Sequence, residues 1–200
     1  MIFCKKIYIG LFSVCVFFPL PTFSASEGLR SDKFVDPERN RQVIITRYNA
    51  EQLEYFQEFS GGIPDGIYQS WWKNGQRKYK TFFVKGKENG VIHYWYKNGS
   101  KQFTGSVKDG VLDGELTSWY RNGNEWTKEN YARGKKDGVW KSWYENQKLS
   151  SVLIFSSGEI LKCSSWDSEG NRVYTGSEKK KCKSIHDEYY TMPMESEDPG

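Results

Sequence analysis

Apolar and polar positions along this chain recur with a period of 24 residues. Trp71, Trp95, Trp119 and Trp143 keep that spacing, as do Gly66, Gly90, Gly114 and Gly138, and Gly86, Gly110, Gly134 and Gly158. An Asn-Gly pair recurs in phase as Asn74-Gly75, Asn98-Gly99 and Asn122-Gly123, and becomes Asn146-Gln147 in the fourth copy. A period of this size marks a repeat architecture, in which each unit buries its apolar face against its neighbours.

Within a unit the alternation reads as two short strands. The first runs from the last glycine of a Gly-x-x-(Asp/Asn)-Gly signal to the Asn-Gly pair, as in 91–97. Asn-Gly between apolar runs predicts a type I′ turn, with positive φ at both central residues. The second strand covers about 100–107 and ends at the next glycine signal. Each unit is a β-hairpin. The predicted fold is all-β, an elongated, twisted antiparallel meander of hairpins, with full repeats at 62–86, 86–110, 110–134 and 134–158.

Worn copies at 43–62 and 158–176 would cap the array, because a terminal repeat has one side facing water. In the first, Tyr48, Tyr55, Phe59, Gly62 and Gly66 stand one period before Trp72, Tyr79, Phe83, Gly86 and Gly90. A short helix over 50–59 is the competing reading there. In the second, Trp166 and Gly170 each fall one residue early, as a single deletion would place them.

Side chains alternate faces along a strand. One face carries Trp71, Trp95, Trp119 and Trp143, with Ile67, Val91, Glu115 and Val139. The other carries Trp72, Tyr96, Tyr120 and Tyr144, with Tyr68, Ile92, Leu116 and Trp140. On the second strand, Tyr79 shares a face with Phe83, and Phe103 with Val107. Both faces are aromatic. Either one row packs the core while the other forms a skin, or one row receives a ligand through large rings that carry a polar handle.

The termini add to this picture. Residues 1–26 read as a secretory signal peptide: Lys5 and Lys6 open it, 7–20 is apolar, and Ser24, Ala25 or Ser26 would precede cleavage. A membrane span needs about 20 apolar residues, and this run is shorter and broken by Pro19 and Pro21. A lipoprotein signal does not fit, since Cys15 follows Val14 within the apolar run. Residues 27–42 read as a flexible polar lead-in, and 177–200 as a basic segment followed by a disordered acidic tail. Past residue 26 only Cys163 and Cys182 remain, and an even pair in an exported chain predicts a disulfide. Metal binding by both cysteines with His186 is the weaker alternative, since no close cysteine pair is present.

The chain has 29 Lys and Arg against 25 Asp and Glu; without the two leader lysines, 27 face 25. That near balance argues against nucleic acid, which asks for a strongly basic stripe. No catalytic constellation emerges. His93 occupies a repeat position held elsewhere by Gln69, Thr117 and Lys141, and no nucleophile-elbow, zincin or phosphate-loop pattern occurs. Asp65, Asn89, Asp113 and Asp137 each precede a glycine, where turn chemistry accounts for them without calcium. No cofactor is expected.

Residues 134–146, Gly-Lys-Lys-Asp-Gly-Val-Trp-Lys-Ser-Trp-Tyr-Glu-Asn, resemble the bacterial variant of the MORN repeat, as do 95–99 and 119–123. The resemblance covers about 60–158 and extends to proteins of the YwqK antitoxin type. It implies a curved sheet of hairpins used for contacts with proteins or membrane lipids. An antitoxin against a cytoplasmic toxin would not carry a signal peptide, so a neutralised target would lie in the cell envelope. A second resemblance is to cell-wall-binding repeats. The expectation is therefore an exported, non-enzymatic scaffold in the periplasm, envelope or extracellular medium. It binds another protein through Trp95, Tyr96, Trp119, Tyr120, Trp143 and Tyr144. Cell-wall glycan on the Trp/Tyr ladder, and anionic membrane at the basic run 178–183, are the alternatives.

Overall fold

The computed structural model describes residues 5–9, 12–16, 30–36 and 41–190, with side chains over 31–35 and 41–190. A two-stranded sheet pairs β1 (Lys5–Ile9) with β2 (Phe12–Val16). The remaining strands form one antiparallel 15-stranded sheet. In chain order they are β3 (Arg30–Asp36), β4 (Arg41–Arg47), β5 (Leu53–Ser60), β6 (Ile63–Trp71) and β7 (Arg77–Val84). Then come β8 (Lys87–Glu88), β9 (Gly90–Trp95), β10 (Lys101–Lys108), β11 (Val111–Trp119) and β12 (Glu125–Ala132). The last are β13 (Lys135–Lys136), β14 (Gly138–Trp143), β15 (Leu149–Ser156), β16 (Glu159–Trp166) and β17 (Arg172–Gly176). Neighbours in sequence are neighbours in space from β3 to β17, with β8 and β13 as short extensions on β7 and β12. The sheet is an open meander, as the repeat predicts. One helix, α1 (Lys179–Tyr189), follows.

The two kinds of turn exchange the roles the sequence suggests for them. The type I′ conformation sits at the other glycine: Lys85-Gly86 have φ 48° and 82°, and Asp109-Gly110 have 53° and 84°. At Asn-Gly only the glycine has positive φ, as at Gly99 (86°). Its N–H donates to the Tyr96 carbonyl at 2.9 Å, the Tyr96 N–H donates to the Ser100 carbonyl, and the register shifts by a bulge. This is a type I turn closed by a glycine bulge. The asparagine side chain explains the difference. Asn98 Oδ1 accepts the Ser100 N–H at 3.0 Å, an Asx turn that needs no positive φ at Asn98. In the fourth copy Gln147 adopts the glycine's conformation at φ 67° and keeps its hydrogen bond to the Tyr144 carbonyl.

The recurring Asp and Asn of the glycine signal tie one unit to the next. Asn89, Asp113 and Asp137 accept the N–H groups of Asp109, Arg133 and Ser157 at 3.0–3.2 Å. They cap the following repeat's turn, which accounts for the series in terms of backbone satisfaction.

Two expectations for the termini are corrected. Within the expected lead-in at 27–42, β3 pairs residue for residue with β4, from Arg30↔Arg47 to Asp36↔Arg41. Its polar residues alternate with Phe34, which packs on Val43, Ile45 and Phe56. Within the expected basic segment, 179–189 is helical and buries Cys182 and Ile185. That helix is too short to persist alone; the sheet beneath it and the Cys163–Cys182 disulfide hold it. The expected acidic tail at 195–200 lies outside the described residues, as does most of the expected signal peptide. Over 50–59 the chain is strand, not helix, from Leu53 onward.

Candidate functional site

The sheet has two unlike faces. One, the tryptophan face, carries Trp71, Trp95, Trp119, Trp143 and Trp166, all half-buried. Arg77 lies over the Trp95 ring at 5.2 Å and Lys101 over Trp119 at 5.7 Å. His93 lies 5.5 Å from Trp95, and burial, then Lys80, Lys101 and Arg77, push its imidazole down.

The other, the tyrosine face, carries a row in which each ring reaches the next repeat. The Tyr48 hydroxyl donates to the Trp71 carbonyl at 3.1 Å, and Trp72 Nε1 to Trp95 at 3.0 Å. Tyr96 donates to Trp119 and Tyr120 to Trp143, each at 2.8 Å, and Tyr144 donates to Trp166 at 2.9 Å. The last link spans one residue fewer, which shows the deletion in the terminal copy. The six residues expected to bind a partner lie on the two faces that the alternation predicts. Tyr96, Tyr120 and Tyr144 join repeats on one face, and Trp95, Trp119 and Trp143 lie on the other. Burial, aided by Glu145, pushes the Tyr120 phenol up to about 12.

Across the first half of the tyrosine face runs a pavement that sequence reasoning did not select. Tyr55, Tyr68, Tyr79, Tyr94 and Phe103 come one each from β5, β6, β7, β9 and β10. Successive ring centroids lie 6.1, 6.0, 5.9 and 5.2 Å apart. Trp72 meets Tyr94 edge-on at 6.1 Å. All five rings are half-buried and floor an open trough of about 710 Å³. Burial raises the Tyr68 phenol. Tyr79 is raised further by burial and by donating to Glu88 at 2.7 Å. Glu54 lines the trough, and its Oε2 is shut from water with no hydrogen-bond partner among the described residues. Lys73, Lys78 and Lys97 line it as well, with Lys78 and Lys97 over the Trp72 ring at 4.5 and 5.5 Å.

In the second half two of these repeat positions carry small residues. Tyr55, Tyr79 and Phe103 are followed one period on by Thr127 and Ser151, and Tyr94 by Ser118 and Ser142. Helix α1 fills that space. Ile185 and Cys182 pack on Trp140, Leu153, Phe155 and Cys163. The Tyr190 ring lies 5.4 Å from Trp140, and its hydroxyl accepts from Ser151 at 3.3 Å. Tyr189 meets the Tyr144 hydroxyl at 2.9 Å. His186 stacks on Tyr190, contacts Lys136 Nζ, and pairs with Asp187 at 3.0 Å. The large-to-small change at one repeat position is the signal that would have located both halves.

The MORN repeat variant family matches residues 64–85 and 136–156. Over these two segments the chain is similar to the MORN repeat variant, and its open meander of hairpins is consistent with such repeats. The matched segments cover most of the β6–β7 hairpin and the β14–β15 hairpin. The two copies between them have the same paired strands and ring-to-carbonyl links. A comparison with curated proteins found no match. MORN repeats are in general protein- or membrane-interaction modules rather than catalysts. Cys163 and Cys182 form a disulfide with 5.5 Å between Cα atoms, so neither thiol is available as a ligand, and the bond fits an oxidising compartment. Among the described residues no cluster of His, Cys, Asp and Glu has a metal-binding arrangement, and no helix is long and apolar enough to cross a membrane.

Proposed function

We propose that this repeat protein is an exported scaffold that binds a partner protein along the open half of its tyrosine face. The observation that carries the reading is the contrast between the two halves: α1 covers one, while the pavement from Tyr55 to Phe103 floors an open trough in the other. Half-buried Tyr rings with rim lysines supply contact area at low entropic cost. Export is supported by the pattern of residues 1–26 and by the disulfide. In an exported chain the resemblance to antitoxins translates into masking of an envelope partner, as an immunity protein would.

Cross-linking in intact cells, followed by mass spectrometry, tests this. One dominant envelope protein is expected, lost in the Tyr68→Ala/Tyr94→Ala variant and retained in Trp119→Ala on the opposite face. Equal capture by the trough variant overturns the assignment. The exposed ring faces also suit sugar stacking. Retention on purified peptidoglycan that depends on Tyr68 and Tyr94 would replace the protein partner with cell-wall glycan.

A further inference from the structure

The tryptophan face has one junction where cations gather without acids. Lys80 on β7 is the cross-strand partner of His93 on β9, and Lys101 on β10 is that of Trp95. Arg77, also on β7, lies over the Trp95 ring at 5.2 Å. Lys80 and His93 are half-buried, while Arg77 and Lys101 are exposed. Among the described residues no carboxylate pairs with Arg77, Lys80 or Lys101. The carboxylates of the next repeat are engaged: Glu115 accepts from Thr117 at 3.0 Å, and Glu125 pairs with Lys128 at 3.2 Å.

The period sets this junction apart. Arg77, Lys80, His93 and Lys101 are followed one repeat on by Lys101, Thr104, Thr117 and Glu125, and then by Glu125, Lys128, Lys141 and Leu149. The first set holds three cations around an imidazole and no acid. Like charges gathered on neighbouring strands repel, a cost that a bound counter-charge removes.

The donors suit one kind of anion. A guanidinium presents a fixed fork of N–H groups to an oxyanion, and each lysine adds a point charge with three donors. His93 Nδ1 is engaged with Thr104 Oγ1 at 3.0 Å, which leaves Nε2 for a ligand. A phosphate monoester carries nearly two negative charges near neutral pH and three acceptor oxygens. A carboxylate brings one charge and two oxygens, and would leave part of the cluster unanswered. A plane of lipid headgroups would meet the exposed Arg77 and Lys101 without engaging the half-buried Lys80 and His93, which a small soluble group can reach.

We infer that Arg77, Lys80, His93 and Lys101 form a binding site for the phosphate monoester of a soluble ligand. The site lies on the face opposite the trough and does not depend on it. Ligand binding is coupled to a proton. In the free protein burial, then Lys80 and Lys101, then Arg77, hold the His93 imidazole down in the neutral form. The groups facing it are these cations and Thr104, with Glu115 one strand further on. A dianion beside the ring favours the charged form, so binding takes up a proton and tightens as pH falls.

The test titrates the full oxidised chain with inorganic phosphate and with sulfate, which keeps both its charges across the neutral range. The Trp95 indole and His93 imidazole signals are followed by NMR. Saturable shifts are expected at both. Affinity falls severalfold in Arg77→Ala and in Lys80→Ala and is unchanged in Lys141→Ala, two repeats away on the same face. Sulfate affinity rises severalfold from about pH 8 to about pH 6, and His93→Gln abolishes that rise. Phenyl phosphate and vesicles of phosphatidate in phosphatidylcholine separate a soluble ester from a headgroup. Binding of phenyl phosphate that depends on Lys80 supports the inference. Absence of saturable shifts, equal loss in Lys141→Ala, sulfate affinity indifferent to pH, or binding to the vesicles alone overturns it.

Discussion

The Tyr96 hydroxyl donates to the main-chain carbonyl of Trp119, 2.8 Å away in the next repeat. The bond joins two hairpins through a buried ring, and equivalent links run from Tyr48 to Tyr144. Stability in an array of this kind is set by such nearest-neighbour contacts.

Tyr96→Phe removes one link and leaves the ring. The expected cost is about 1 kcal/mol, the net worth of one hydrogen bond. Tyr96→Ala also empties a buried ring site, for about 3–5 kcal/mol. Urea denaturation of both variants checks this. Equal losses in the two would show that the hydroxyl contributes nothing and that the row holds by packing alone.

Gln147→Gly should stabilise the protein. Gln147 sits at φ 67°, where a Cβ costs roughly 1–2 kcal/mol. Glycine's extra freedom in the unfolded chain offsets about 0.4–1 kcal/mol of that, and the side-chain bond to Asn124 Oδ1 is lost. A net gain of about 0.5 kcal/mol is expected from these opposing effects, read as a higher midpoint in thermal or urea melts. A lower midpoint would mean that the Gln147–Asn124 contact matters more than the backbone conformation.

Breaking the Cys163–Cys182 bond should loosen one element first. The sequence separation is 19, and a loop of that size corresponds to about 3 kcal/mol in the chain-entropy picture. In Cys163→Ser/Cys182→Ser, amide exchange should accelerate across 179–189 before it does in β6–β11. Uniform acceleration throughout the sheet would show that α1 is integral to the fold rather than a cover.

Glu129 should give a pH signature. Burial holds its carboxyl above the ordinary 4.5, against the Tyr131 and Thr127 hydroxyls that donate to it and the nearby Lys136 and His186. A carboxyl raised in the folded state contributes stability that is complete below its unfolded value and is lost as pH rises through its folded one. Glu129→Gln keeps a hydrogen-bond acceptor and has no such loss. Its stability relative to wild type should therefore grow as pH rises from about 4.5 towards neutrality. Parallel stability curves would show that Glu129 titrates alike in both states.

The sequence alone determined the period, the hairpin per unit, the meander and the two aromatic faces. Each depends on local features, namely alternation along a strand and glycine at fixed offsets, and the Cys163–Cys182 pairing followed from these being the two cysteines past residue 26. The turn types were misplaced because the Asn98 side chain can satisfy the Ser100 N–H without positive φ, a choice between two local solutions that spacing does not distinguish. What only the tertiary structure decided is which rings meet. Tyr55 and Phe103 are 48 residues apart yet belong to one pavement, because five strands place their rings side by side. Helix α1 became visible the same way: its lysines dominate 179–183, and its few apolar residues matter only once Trp140, Leu153 and Phe155 offer a seat for Ile185, and Ser151 one for Tyr190. Period and alternation are properties of the chain taken a few residues at a time. The seat and the trough are properties of the volume between distant repeats, which exists only when the sheet is assembled.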